Sequence, residues 1–408
     1  MTTISRTTRK FATRLSALAL VAATVSLLAP APTPAAAAEI VGRLSFHWGP
    51  KHPAAIQAEK FAKRVNELGA GKIKIQTFPS GQLFGIRQIM GALAAGSVEM
   101  GGTVGIVSFP RINKNYNITA MPGFFTSFEH QRGFFEKTEV GKKMWNAIMT
   151  KAGITVVAYN PVGPTMTFST RESLDTVASM AGLKARVLVK SDRVRWNALK
   201  VGKMVSLPTR EVYNGLQSGM VDTVATVPGA IKGYSWWEYL KSGQLPYLTF
   251  ADAYLMANAA WFNGLPADVQ KIMREVGAEI SKEATDSIMA ASNAIVGEFE
   301  KRGAKISTLQ GAELAAMNKL ESEVMEPDYA AMVDEEERHA FEALFRIRRR
   351  NDGDEVGHHA VGSEHLGAVE AITRVGALGA GANGGGIGAG VGLAQGESGH
   401  HFAAQGRY

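Results

Sequence analysis

Between Val41 and Phe78 the spacing of apolar residues changes twice, and this limits the fold more than any other feature of the chain. VGRLSFHW alternates, with Leu44 and Phe46 on one face, and reads as a strand. PAAIQAEKFAKRVNELGAG carries Ala58, Phe61, Ala62, Val65 and Leu68 at helical spacing. Pro53 suits the first turn of that helix, and Gly69 or Gly71 its end. KIKIQTF alternates again. Strand, helix and strand within about 40 residues form a βαβ unit, which implies parallel strands joined by a right-handed crossover. The expected class is α/β.

The pattern continues with a helix in GIRQIMGALAAG and a strand in SVEMGGTVGIV. It then restarts. GITVVAYN, TMTFST and GLKARVLV read as strands, SDRVRWNALKVG and PTREVYNGLQSG as helices, and MVDTVATV as a strand. ADAYLMANAAWF reads as a strand returning to the first unit. From Leu265 the period is helical through Val269, Ile272, Met273, Val276, Ile280, Ile288, Ile295 and Phe299. Gly277 is expected to interrupt this helix and Gly303 to end it.

The two ends differ from this middle. MTTISRTTRKFATR holds Arg6, Arg9, Lys10 and Arg14 with no acid, LSALALVAATVSLLA is apolar, and Ala36 and Ala38 close an A-x-A arrangement. Residues 1–38 are expected to be a secretory signal peptide. The alternative is an uncleaved anchor, and the apolar stretch is shorter than the about 20 residues that span a bilayer. Without the leader's four basic residues the formal charge of +7 falls to +3, and no basic stripe interleaved with aromatics points to nucleic acid. The absence of cysteine excludes disulfides and thiol chemistry. After Lys319 there is no lysine, and six of the nine histidines lie from His339 onward. Residues 327–408 are expected to form a low-complexity, disordered tail, either a genuine extension or the product of a shifted reading frame. Its His358, His359, His365, His400 and His401 read as a solvated tract rather than a metal site.

GLKARV raises a specific question. Leu183, Ala185 and Val187 share one strand face, and Lys184 and Arg186 fall on the other. Read alone, Arg186 is either a surface or salt-bridged arginine or an anion ligand. Four stretches, in order, bear on the choice. They are AAIQAEKFAKRVNELGAGKIKIQTFPSGQLFGIRQIMGALAAGSVEMG, GLKARV, PTREVYNGLQSGMVD and WFNGLPADVQKIM. With them, residues 40 to about 325 resemble the substrate-binding subunits of tripartite ATP-independent periplasmic (TRAP) transporters, the DctP type.

The resemblance implies a two-lobed periplasmic-binding-protein clamshell, each lobe a β-sheet flanked by helices, with long helices near the C-terminus. Lobe 1 would span 39–160, with return segments from about 250–325, and lobe 2 would span 161–250. It further implies a periplasmic subunit that captures a small organic acid between the lobes and delivers it to a membrane permease, with no catalysis and no cofactor. The family's ligand-binding arginine falls on Arg186, whose planar fork matches a carboxylate. Other positions depart from the family. Thr165 stands where a second arginine is frequent, Thr226 where an asparagine is, and Thr209 where an aromatic is. These departures leave one clear cation and favour a monocarboxylate. Trp48, Gln82 and one of the adjacent pair Trp236 and Trp237 complete the candidate ligand-binding set, although each of these tryptophans reads equally as a packed ring. The competing functions are a secreted enzyme acting on small acids and the binding protein of an ATP-driven importer. No nucleophile elbow, His-Glu-x-x-His or phosphate-binding loop supports the enzyme.

Overall fold

The computed structural model describes residues 38–335. The expected leader, apart from Ala38, and the tail from residue 336 onward lie outside these residues. The first unit opens with β1 (Ile40–Phe46), α1 (Pro53–Leu68), β2 (Ile73–Phe78), α2 (Ile89–Ala94) and β3 (Met100–Val104). It continues through α3 (Phe128–Lys137), α4 (Glu139–Ala152) and β4 (Ile154–Tyr159). After β5 (Gly163–Pro164) come β6 (Met166–Ser169), β7 (Lys184–Val187), α5 (Asp192–Ala198), β8 (Lys203–Ser206) and α6 (Val212–Gln217). Then follow β9 (Thr223–Thr226), α7 (Pro228–Gly233), β10 (Ser242–Leu245) and β11 (Phe250–Ala251). The chain goes on through β12 (Ala253–Asn258), α8 (Ala267–Lys301), β13 (Lys305–Thr308), α9 (Gly311–Leu320) and α10 (Glu326–Ala330).

Two sheets organise these elements. The first has the order β2-β1-β3-β12-β4. β1 runs parallel to β2 with Ile40 opposite Ile73, joined by α1 as the spacing requires. β12 is antiparallel to both neighbours, because it enters from the other unit and not through a crossover helix. The sheet is therefore mixed and not wholly parallel. The second sheet has the order β13-β10-β6-β9-β7-β8. β13 pairs with β10, so the segment expected to return to the first lobe over 250–325 does so in β12 but leaves it again at Lys305–Thr308. The cause is α8, which packs on α1 and β4 of the first unit and on α7 of the second.

α8 is one helix of 35 residues, about 52 Å long at 1.5 Å per residue, and Gly277 does not interrupt it. A Cβ at Gly277 would lie 1.8 Å from the Val157 carbonyl oxygen. The glycine is there so that helix and β4 backbones can touch. The first two crossings between the sheets pair as β5 with β11, and α8 makes the third. A further junction joins the loop after β1 to α7. A Cβ at Gly49 would lie 2.7 Å from the Gly233 carbonyl oxygen, and the Tyr234 hydroxyl donates to the His47 carbonyl at 2.9 Å.

The expected tail begins too early at 327. Met325, Tyr329 and Val333 are each no more than 2% exposed, so the packed chain continues through α10 and the turn after it. Among the described residues no helix is long and apolar enough to cross a membrane.

Candidate functional site

A cavity of about 140 Å³ lies between the two sheets. Residues just past the carboxyl ends of four strands line it: His47 and Trp48 after β1, Ile106 after β3, Leu188 and Val189 after β7, and Val227 after β9. This is where open α/β sheets bind ligands. A cavity of roughly 150 Å³ takes up benzene, so this one suits a molecule of about six to ten non-hydrogen atoms.

Arg186 projects from β7 into this space and is 3% exposed. Its Nε donates to the Leu207 carbonyl at 3.1 Å and its Nη2 to Thr209 Oγ1 at 3.2 Å. Its Cζ stands 5.9 Å from the centre of the Trp236 ring. Trp196 fixes the strand beneath it by donating from Nε1 to the Arg186 carbonyl at 2.9 Å. Burial pulls the guanidinium down to about 10, which leaves it charged at neutral pH.

A second arginine lines the same cavity. Arg195, on α5, is 5% exposed, donates from Nη2 to Thr167 Oγ1 at 2.7 Å and lies over the Trp196 ring at 5.4 Å. It too is drawn down to about 10, mainly by burial. Asp192 lies between them electrostatically, but its Oδ2 is already occupied by the backbone N–H groups of Leu188 and Val189, at 2.7 and 3.0 Å. Among the described residues neither arginine has a carboxylate within 4.0 Å. The expectation of a single cation is thus corrected.

Of the other expected residues, Trp48, Thr165, Thr209, Thr226 and Trp236 line the cavity. Thr209 spends its hydroxyl on Arg186 and so orients the guanidinium. Thr165 Oγ1 pairs with Thr249 Oγ1 at 2.7 Å at the crossing between sheets. Trp236, 1% exposed, leaves its indole N–H without a partner among the described residues. Gln82 and Trp237 do not reach the cavity. Gln82 is exposed on its turn. Trp237 faces away from its neighbour, as adjacent residues must, and stacks under Arg302 at 4.0 Å.

His47 and His52 also line the cavity, and burial pushes both down to about 3. His52 caps α1, its Nδ1 accepting from the Ala54 N–H at 3.1 Å. In the unfolded chain each imidazole titrates near 6.5, so acid favours the unfolded state, which binds the proton. The stability each contributes is complete above about 6.5 and is lost as pH falls toward 3. His52→Asn keeps a capping side chain but removes this titration. Thermal and denaturant unfolding should show wild type losing about 2 kcal/mol more than His52→Asn between pH 7 and pH 5. Equal losses would mean that His52 titrates in the fold as it does in the unfolded chain.

Two lobes around an arginine-lined cavity define a solute-binding clamshell. Residues 44–336 match the family model of the bacterial extracellular solute-binding proteins, family 7 (DctP), and the chain belongs to that family. It is 29% identical over 237 residues to the C4-dicarboxylate-binding periplasmic protein DctP of Vibrio cholerae, covering 57% of this chain and 70% of that one. It is 27% identical over 294 residues to the protein of the same name from Rhodobacter capsulatus, covering 69% and 86%. In fold it resembles a TRAP periplasmic solute-binding protein from Sulfurospirillum deleyianum solved with bound succinate, with a TM-score of 0.68 and 20% identity over 75% of this chain and 99% of that one. Members of this family are solute-binding proteins.

Proposed function

We propose that this protein is the periplasmic subunit that captures a small carboxylate between its lobes and hands it to a TRAP permease. The observation that carries the reading is the pair of buried guanidiniums, Arg186 and Arg195, with no carboxylate within 4.0 Å among the described residues. A buried charge left unpaired costs several kcal/mol, and an entering carboxylate removes that cost. Arg186 would hold it through the donors not spent on Leu207 and Thr209, and Trp48 and Trp236 would enclose its body. The case for a monocarboxylate rested on one cation, and with Arg195 in the wall it no longer holds. The relatives named for C4-dicarboxylates and succinate support an acid of this size. Export, the permease and an ion-gradient drive come from the family and from the leader-like N-terminus.

Thermal melting of the purified protein against a panel of small mono- and dicarboxylates tests this. A ligand present at about 100 times its Kd adds about 2.7 kcal/mol and raises the midpoint by several degrees. Neutral solutes that stabilise the protein while every acid fails to do so would overturn the carboxylate reading.

A further inference from the structure

The cavity that holds Arg186 and Arg195 also holds an unpaired carboxylate. Asp252 lies between β11 and β12, where the chain leaves the crossing for the first sheet, and is 1% exposed. The hydroxyls of Tyr116 and Tyr254 both donate to Oδ2, the latter at 2.7 Å. Gly105 faces the other oxygen, where any Cβ would stand 2.7 Å from Oδ1. Only glycine lets the backbone pass this close to the carboxylate. Among the described residues no lysine, arginine or histidine lies within 4.0 Å of this carboxylate. Phenol hydrogen bonds satisfy one oxygen but do not neutralise a buried charge.

The two guanidiniums belong to the second lobe, and Asp252 belongs to the strand that returns to the first. The cavity wall is therefore bipolar. We infer that its ligand is bipolar as well: a small amino acid or similar zwitterion, whose carboxylate meets the arginines and whose ammonium meets Asp252. This rests on the carboxylate reading above and adds the chemical class of the ligand's other end. A plain acid would leave Asp252 buried without a counter-charge, whereas a zwitterion pairs both poles and keeps the net charge of the cavity unchanged.

The electrostatics agree. Burial raises the Asp252 carboxyl to about 6 against the pull of its two phenol bonds. The groups that face it are Tyr116 from the segment after β3, Tyr254 from β12 and Tyr159 from β4. Glu129, Arg132 and Glu136 of α3 act on Tyr159 behind them. An ammonium favours the ionised carboxylate, so affinity for an amino ligand should rise as pH increases through about 6, whereas a plain acid gains nothing from that ionisation.

Isothermal titration of the full chain with three matched series decides it. The amino series is glycine, β-alanine and 4-aminobutyrate. The plain series is acetate, propionate and butyrate, and the hydroxy series is glycolate, 3-hydroxypropionate and 4-hydroxybutyrate. At one chain length the amino acid is expected to bind at least tenfold tighter than its plain and hydroxy counterparts. That preference should grow from pH 5 to pH 7.5. Asp252→Asn should erase it while still binding the plain acid. Plain or hydroxy acids that bind as well as amino acids at every length, a preference flat with pH, or one that survives Asp252→Asn would each overturn the bipolar ligand alone. Failure of every acid in all three series, and of succinate and malate titrated beside them, would count against the carboxylate reading and take this inference with it. The pH series needs no variant, so the inference stays testable if Asp252→Asn does not fold.

Discussion

Replacing Arg186 with glutamine is expected to weaken ligand binding at least about 100-fold while leaving the ligand-free protein as stable as before, or more so. Removing one partner of a buried, hydrogen-bonded charge pair costs about 2–5 kcal/mol of binding, or roughly 30-fold to several thousand-fold. In the free protein the balance runs the other way. Losing the bonds to Leu207 and Thr209 leaves two acceptors that cost about 1–3 kcal/mol each if they find no other donor. Against this, the variant no longer buries a cation that has no carboxylate within 4.0 Å among the described residues, a relief of several kcal/mol. Calorimetric titration and melting of the same samples would report the two effects separately. Retained affinity would make Arg186 an ordinary strand arginine. Affinity lost together with the fold would make it a structural one.

The second large effect lies far from the ligand. Gly277→Ala should destabilise the protein by about 3 kcal/mol or more, because its methyl would sit 1.8 Å from the Val157 carbonyl oxygen. Neither atom ends a flexible side chain. The strain can relax only if α8 lifts from β4, and that would separate the helix from other first-sheet contacts such as the Ser281 Oγ that accepts from the Tyr159 N–H at 2.9 Å. Melting should show a midpoint several degrees lower. A midpoint within a degree of wild type would mean that helix and strand do not approach as closely as described.

The same residue shows how legibility divides between local and tertiary causes. The period of α8 was plain in Val269, Ile272, Met273, Val276 and Ile280. The reason for the glycine within it was not, since a break and a close approach look alike until the neighbour is known. β1, α1 and β2 were readable because one face of each is apolar at a fixed spacing. β8, β10 and β13, each four residues long, give too short a pattern to stand out. Arg186 could be singled out because it interrupts an apolar strand and fits a familiar motif. Arg195 could not, since SDRVRWNAL places it among charged neighbours on a short helix, a pattern that reads as a solvated face. Only the packing of α5 under Tyr329 and beside Thr167 buries it. Asp252 did leave a trace, as a lone acid within FADAYLMANAAWF, and a charge in so apolar a run was the signal to follow. Gln82 and Trp237 were placed by position along the chain, which carries no information about the direction a side chain takes.

The meeting of Gly49 and Gly233 bears on selectivity in its own way. There the two halves touch backbone to backbone, with no side chain between them to compress or reorient. A seam of that kind has almost no tolerance, so it either seats or stands open. It thereby fixes the spacing of the cavity wall between Trp48 and Tyr234, the residues that flank the two glycines.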